Sequence, residues 1–417
     1  MRTQKLLLPL SLLLASSLGA CKWTEFDDLK DETWVGSTEK PNVKSADYGV
    51  AIQRGQRAGD GGTLVVLGAG QATYSELIYN AKGDSSLAPT VLELNSQYGI
   101  GTLDPQPIMI ADPTSDDISA IINAGGSSIA VLIGSGQIDL HQLFIAPSTV
   151  EAATYMHPPD RIVAGVPEPL MEAPLVASGD YVLGTFLANV PNPQPKCKLA
   201  SGGVAIGPRA LGVVASATPP FDDVLAWGTS GKLFKYPGSV FNGCDTALPP
   251  VQEPLASIDT GFAPGHGSQI LTLTGNLVVL QGHHDSDDVS FLQVYDASTM
   301  TAVGSPVTIA KLRSAAILTR GTAKYVIAGY PTAVVDGKSA GQVMLFTASA
   351  TGLGATPAMT INDAQPDDNE SFGRSVTAMP FNGSEVIAVS ADNEVFVYFQ
   401  AKLTDGSMLY TETRQGR

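Results

Sequence analysis

Seven times along this chain, a short aliphatic or β-branched run ends in small residues. The runs are 64–70 (LVVLGAG), 130–136 (AVLIGSG), 181–185 (YVLGT), 224–228 (VLAWG), 277–282 (LVVLQG), 325–331 (YVIAGYP) and 386–390 (VIAVS). Their starts lie 66, 51, 43, 53, 48 and 61 positions apart. Six have a follower that alternates with period two and is rich in strand-favouring residues: 76–79 (ELIY), 141–145 (HQLFI), 232–236 (KLFKY), 291–295 (FLQVY), 342–346 (QVMLF) and 394–399 (EVFVYF). Each run and its follower predict a hairpin, and no helical periodicity of useful length competes. Units of about 40–50 residues built from several short strands make a radial array rather than a helical solenoid. The expected fold class is therefore all-β, a seven-bladed β-propeller of four-stranded antiparallel blades, its last blade closed by a strand from the start of the body.

Composition agrees. The 43 glycines and 28 prolines show no collagen-like period, which points to many tight turns, and 44% apolar against 15% charged residues supports a large core. A formal net charge of −16 without a basic run disfavours nucleic acid as a partner. The proline-rich stretch 147–174 is expected to wrap over one face as a long loop, since it cannot sustain strand pairing throughout.

The start of the chain carries an address. Arg2 and Lys5 precede an apolar run, 6–14, too short to span a bilayer and interrupted by Pro9. Leu18, Gly19, Ala20 and Cys21 then form a small-residue cleavage site ending in cysteine. This resembles the lipobox of bacterial lipoproteins, which implies cleavage before Cys21 and acylation of that residue. Lys22 stands where inner-membrane retention typically uses aspartate, so the resemblance implies a lipid anchor in the outer membrane, on either face. The organisation expected is a signal peptide over 1–20, a lipidated cysteine and polar tether over 21–44, a propeller over 45–400 and a tail over 401–417. The body is expected to be monomeric.

With Cys21 lipidated, Cys197 and Cys244 remain as a pair, 47 positions apart, in an oxidising compartment. Both lie in Pro/Gly-rich surroundings and are expected in loops, joined as a disulfide.

Near the C-terminus the pattern becomes more specific. Gly329 and Pro331 close the 325–331 run, and Phe372-Gly373 precedes the last. These pairs are similar to the two halves of the FG-GAP repeat in integrin α-subunit propellers. The resemblance implies that the aromatic-glycine pair turns tightly and packs between neighbouring blades, where only glycine lets backbones approach so closely. It also implies Ca2+ loops rich in aspartate, but 379–384 (MPFNGS), in the matching place, keeps one asparagine and no carboxylate. No cofactor is carried over, and Ca2+ stays tied to acidic clusters elsewhere. Of these, His283, Asp285 and Asp287 would share one face if the chain stayed extended, and Asp367, Asp368 and Glu370 lead into the Phe372-Gly373 turn. Either could be a metal site or a solvated loop. There is no Gly-x-Ser-x-Gly elbow, His-Glu-x-x-His, Cys-x-x-Cys or phosphate loop in the sequence. The reading is a non-catalytic platform for an envelope protein or polysaccharide; the alternative is a hydrolase or lyase with its site in the central channel.

Overall fold

A computed structural model describes the strands between residues 51 and 184, residues 196–381 apart from 218–221, 246 and 364–365, and the strands from 384 to 415. The signal peptide, Cys21 and the tether lie outside the described residues. Apart from one 3-10 turn at Gly238–Gly243, the described secondary structure is β. No helix among the described residues is long and apolar enough to cross a membrane.

The strands form seven sheets of three or more strands, together with two isolated hairpins. Sheet 1 contains Ala51–Gly55, Gly62–Gly68, Gln71–Leu77 and Thr90–Glu93; sheet 2 contains Ile118–Gly125, Ser128–Gly134 and Ile138–Ile145. Sheet 3 is built on Val150–Met156, Ala173–Ser178, Tyr181–Gly184 and Lys196–Ser201. Sheet 4 contains Pro208–Val214, Asp223–Gly228, Lys232–Tyr236 and Ala256–Asp259. Sheet 5 contains Gln269–Thr274, Leu277–His283, Val289–Asp296 and Thr301–Ala310. Sheet 6 begins Ser314–Arg320, Ala323–Tyr330, Gln342–Ser349, and sheet 7 begins Val376–Phe381, Ser384–Ala391, Glu394–Lys402. The main strands of each sheet follow one another antiparallel in chain order, and all six expected hairpins are present.

The apolar runs mark strands covered on both faces. Along Leu277–His283, Val278 and Leu280 enter the core shared with sheet 4, while Val279 enters the core shared with sheet 6. In Asp223–Gly228, Val224 and Ala226 face sheet 3, and Leu225 and Trp227 face sheet 5. Period-two alternation with both faces buried gives a continuous apolar string instead of an alternating one. The outermost strand of sheet 5, Thr301–Ala310, is largely exposed. The core thus consists of layers between neighbouring sheets.

Four expectations are corrected. The first strand, Ala51–Gly55, pairs within sheet 1 and does not complete the last sheet; it lies instead beside sheet 7, where the Ile52 N–H donates to Ser375 Oγ at 3.2 Å. The outer positions of sheet 7 are filled by Met408–Thr411 and Arg414–Gln415, from the stretch read as a tail. The proline-rich stretch is not one long loop. It holds Val150–Met156 and a hairpin of Arg161–Val163 with Val166–Glu168, a two-stranded unit whose free edges tolerate the missing N–H of Pro167. Cys197 sits fully buried on Lys196–Ser201 rather than in a loop.

That cysteine belongs to an excursion between sheets. After Lys232–Tyr236 the chain leaves sheet 4, makes the 3-10 turn, and at Cys244 is bonded to Cys197 of sheet 3, with Cα atoms 4.9 Å apart. It then pairs as Val251–Gln252 in parallel with Lys196–Ser201, and the Glu253 carboxylate accepts the N–H groups of Gly202 and Gly203 at 2.8 and 2.9 Å. Ala256–Asp259 returns it to sheet 4.

Candidate functional site

Antiparallel pairing brings the start of each first strand beside the connection between the second and third. Loops at 262–268, 284–288, 311–313, 331–341 and 366–374 therefore share one face. This face carries most of the charged groups singled out by the sequence.

Its centre joins sheets 4 and 5. Asp285 Oδ1 accepts the His266 backbone N–H at 2.8 Å, and Asp285 Oδ2 lies 2.7 Å from His266 Nδ1. Arg209 Nη1, which can only donate, is 2.6 Å from His266 Nε2. In this arrangement His266 Nε2 accepts from Arg209 and Nδ1 donates to Asp285. Partial burial pushes the Asp285 carboxyl upward, but the two hydrogen bonds from His266, together with the charges of His266 and Arg209, hold the group below the usual carboxylate range. The nitrogen that would serve as a general base is engaged by a guanidinium, so the trio works as a clip between sheets.

Beside the clip lies an aromatic ledge. Phe262 stacks on His284 with centroids 4.2 Å apart and on Phe291 at 5.0 Å, with Trp227 behind it at 6.0 Å. Trp227 donates its indole N–H to Thr260 Oγ1 at 3.2 Å. Gly282 faces this group: a Cβ there would come 2.6 Å from Trp227 and 2.8 Å from Phe262.

The expected convergence of His283, Asp285 and Asp287 does not occur. Leu277–His283 ends at His283, and the chain turns, so alternation no longer governs where the next residues point. Asp285 goes to His266, whereas Asp287 caps the Val289 N–H at 3.0 Å and meets His284 Nδ1 at 3.0 Å. The Val289 N–H is the main cause of the lowered Asp287 pKa. His283 is buried, and its pKa is pushed down to about 4, first by burial and then by the Arg313 charge, with Asp285 opposing.

The second acidic cluster is tied to its neighbour loop. The hairpin Val334–Val335 with Lys338–Ser339 turns through Asp336 and Gly337, both with positive φ, as an Asp-Gly turn of the primed type requires. Onto it fold Asp368, whose Oδ1 accepts the Ser339 N–H at 3.1 Å, and Asp367, 3.6 Å from Lys338 Nζ. Glu370 Oε2 accepts the Asp367 N–H at 3.1 Å. The three carboxyls thus serve different partners in the loop. Among the described residues no group of three or more His, Cys, Asp or Glu is arranged to hold a metal ion.

The Phe372-Gly373 pair packs between sheets 6 and 7. Phe372 is fully buried, edge-on to Phe396 at 5.2 Å and to Tyr398 at 6.1 Å. The Phe372 N–H bonds the Ala340 carbonyl at 2.8 Å, and Gly373 N–H bonds Ser390 O at 2.9 Å, so the turn is gripped by sheets 6 and 7. Gly373 has φ +89°, and its carbonyl lies against Gly329, where a Cβ would collide with it. Pro331 is buried at the end of the same strand. Arg209, His266 and Phe262 are the components that sequence reasoning missed: Arg209 and His266 are 57 positions apart, His266 and Asp285 19, without a local motif.

No protein-family model matches the sequence, and no curated protein matches it. Solved structures do resemble the chain. BBS1N in complex with ARL6DN has a TM-score of 0.50 at 11% identity, covering 87% of this chain and 94% of that one. A humanized mutant of the Chaetomium thermophilum Polycomb Repressive Complex 2 gives 0.53 at 10% identity, covering 93% and 98%. Apo ctPRC2 in an autoinhibited state gives 0.52 at 11%, covering 88% and 96%. The fold is β-propeller-like. Identities this low extend the likeness to the fold alone. In that setting the clip, the ledge and the acidic loops belong to one end of the propeller-like array.

Proposed function

We propose that this chain is an exported lipoprotein, held on the outer membrane through acylated Cys21, whose body is a closed seven-bladed propeller acting as a non-catalytic protein-binding platform. The observation that carries the platform reading is the state of the shared face. Many of its charged side chains are paired with one another, in Arg209–His266–Asp285, His284–Asp287, Lys311–Asp288 at 3.3 Å and Lys338–Asp367. Between them stand exposed apolar residues, Val289 at 40% and Val334 at 72%. Mutually braced loops around apolar points form a pre-organised docking surface, which lowers the ordering cost of association. Structural neighbours found in complexes with protein partners support the same reading. The seven sheets and the Ile52–Ser375 contact support the closed, seven-bladed form.

The test is affinity capture with tagged full-length protein from solubilised envelope, in parallel with a Val334→Asp/Lys338→Glu variant, identifying bound proteins by mass spectrometry. A partner retained by the natural face and lost from the variant is expected. Equal recovery on both would move the partner surface elsewhere, and hydrolysis of envelope glycans by the purified protein would overturn the non-catalytic reading. Radiolabelled palmitate incorporation, abolished in Cys21→Ser, tests the anchor.

A further inference from the structure

The join between sheets 5 and 6 contains a buried polar cluster. Gln269 and Gln281 are direct cross-strand partners, and His283 lies two residues beyond Gln281 on the same face. This face looks toward sheet 6: Leu271 and Val279, of the same parity, pack in the core shared with that sheet. Gln269 Oε1 accepts the N–H of Ala315, in the first strand of sheet 6, at 3.1 Å. The three residues are 5%, 0% and 7% exposed, respectively. Four of their polar atoms, Gln269 Nε2, Gln281 Oε1 and Nε2, and His283 Nδ1, have no hydrogen-bond partner among the described residues.

Unpaired amide and imidazole groups shut away from solvent are costly, and four together would cancel much of a domain's net stability. Such groups in native proteins are met by ordered internal water, which typically makes about three hydrogen bonds. Gly267 stands beside the ring, where a Cβ would lie in ordinary contact with His283 Cε1 at 3.5 Å. The mixture of groups also fits water, since amide nitrogens donate, the amide oxygen accepts, and water does both.

We propose that Gln269, Gln281 and His283 form an internal hydration site in which ordered water bridges sheet 5 to sheet 6. The site presents both donors and acceptors. It lies beneath the His266–Asp285 clip, since His283 immediately precedes the turn that carries Asp285.

Oxygen-17 relaxation dispersion on the full-length protein, with a high-resolution crystal structure, tests this. The expected result is long-lived internal water, with density about 3 Å from Gln281 and His283. In Gln281→Met, which keeps the side-chain length and removes both polar atoms, the dispersion amplitude should drop by at least one water's share while the circular dichroism stays unchanged. A direct chain of hydrogen bonds from Gln269 through Gln281 to His283, with an amplitude the variant leaves unmoved, would overturn the proposal. An organic solute occupying the site would overturn it equally.

Discussion

If the contact between sheets 6 and 7 is set by backbone approach at glycine, its energetic components can be separated with single methyl groups. Gly321 turns between the first two strands of sheet 6 with φ +56° and open space around a would-be Cβ, so Gly321→Ala meets only the left-handed backbone cost, about 1 kcal/mol. Gly329 has no positive φ, but a Cβ there would run into the Gly373 carbonyl and come 2.6 Å from Ser314 Oγ. Overpacking costs about 1–3 kcal/mol, and because a carbonyl of the adjacent sheet cannot rotate away, Gly329→Ala belongs near 3 kcal/mol. Gly373→Ala combines both effects, with φ +89° and the Gln342 carbonyl 2.8 Å from the new carbon, and should reach about 4 kcal/mol. The assay is urea unfolding at constant m; at roughly 3 kcal/mol/M, the Gly329→Ala midpoint falls by roughly 1 M. The double variant should cost less than the sum, because one shift of the Phe372-Gly373 turn relieves both collisions. If Gly329→Ala costs no more than Gly321→Ala, the two sheets are not held at glycine contact and the argument fails.

Three other perturbations address separate parts of the fold. His283 is held neutral with a pKa of about 4 against about 6.5 unfolded, so the unfolded chain takes up the proton first as pH falls. Its contribution, about 3 kcal/mol, is fully present above pH 6.5 and lost progressively toward pH 4; urea midpoints at pH 7.5 and 4.5 should show this slope in the natural protein and its loss in His283→Gln. Lys235 and Asp223 form a buried pair at 2.9 Å, with Lys235 Nζ also donating to Ala297 O at 3.3 Å. Lys235→Met strands the carboxylate at a cost of about 3–5 kcal/mol, and thermal melts should recover part of this when Asp223→Asn is added. Replacing Cys197 and Cys244 by serine opens a loop of 47 positions and should lower stability by up to about 4 kcal/mol in urea, whereas an unchanged midpoint would mean the excursion is held without the bond.

How far the fold can be read from the sequence follows from burial. Second strands such as Leu277–His283 announce themselves because both faces are covered, leaving their composition little freedom. Thr301–Ala310 is largely exposed, and a strand that buries little need not advertise its periodicity. Met408–Thr411 and Arg414–Gln415 likewise stayed hidden in a stretch that reads as tail. The Phe372-Gly373 turn was legible since positive φ beside a buried ring narrows the residue choice sharply. Arg209, His266 and Asp285 were not: their spacing is set by how sheet 4 meets sheet 5, a tertiary fact without a local trace. The convergence expected of His283, Asp285 and Asp287 failed for a related reason, because period two was extended past the end of a strand.

The joints between successive sheets differ in chemistry, and this bears on how such an array could hold a partner. Sheets 4 and 5 meet through Trp227, Phe262 and Phe291, and sheets 6 and 7 through glycine backbone contact capped by Phe372. Both are close-packed, with little tolerance for displacement. Between them, sheets 5 and 6 meet at one end through amides and a neutral imidazole, groups that gain less from close packing and can exchange partners. Away from that end the same two sheets share an apolar core, with Leu271, Val279 and Leu292 against Ala315, Val326 and Phe346, and touch backbone to backbone at Gly304 and Gly352. Loop 331–341 holds Val334 on the sheet 6 side, and Val289 opens the strand that follows loop 284–288 on the sheet 5 side. A partner seated across both valines would bridge sheets 5 and 6 and meet a surface whose two halves are already held by that shared core.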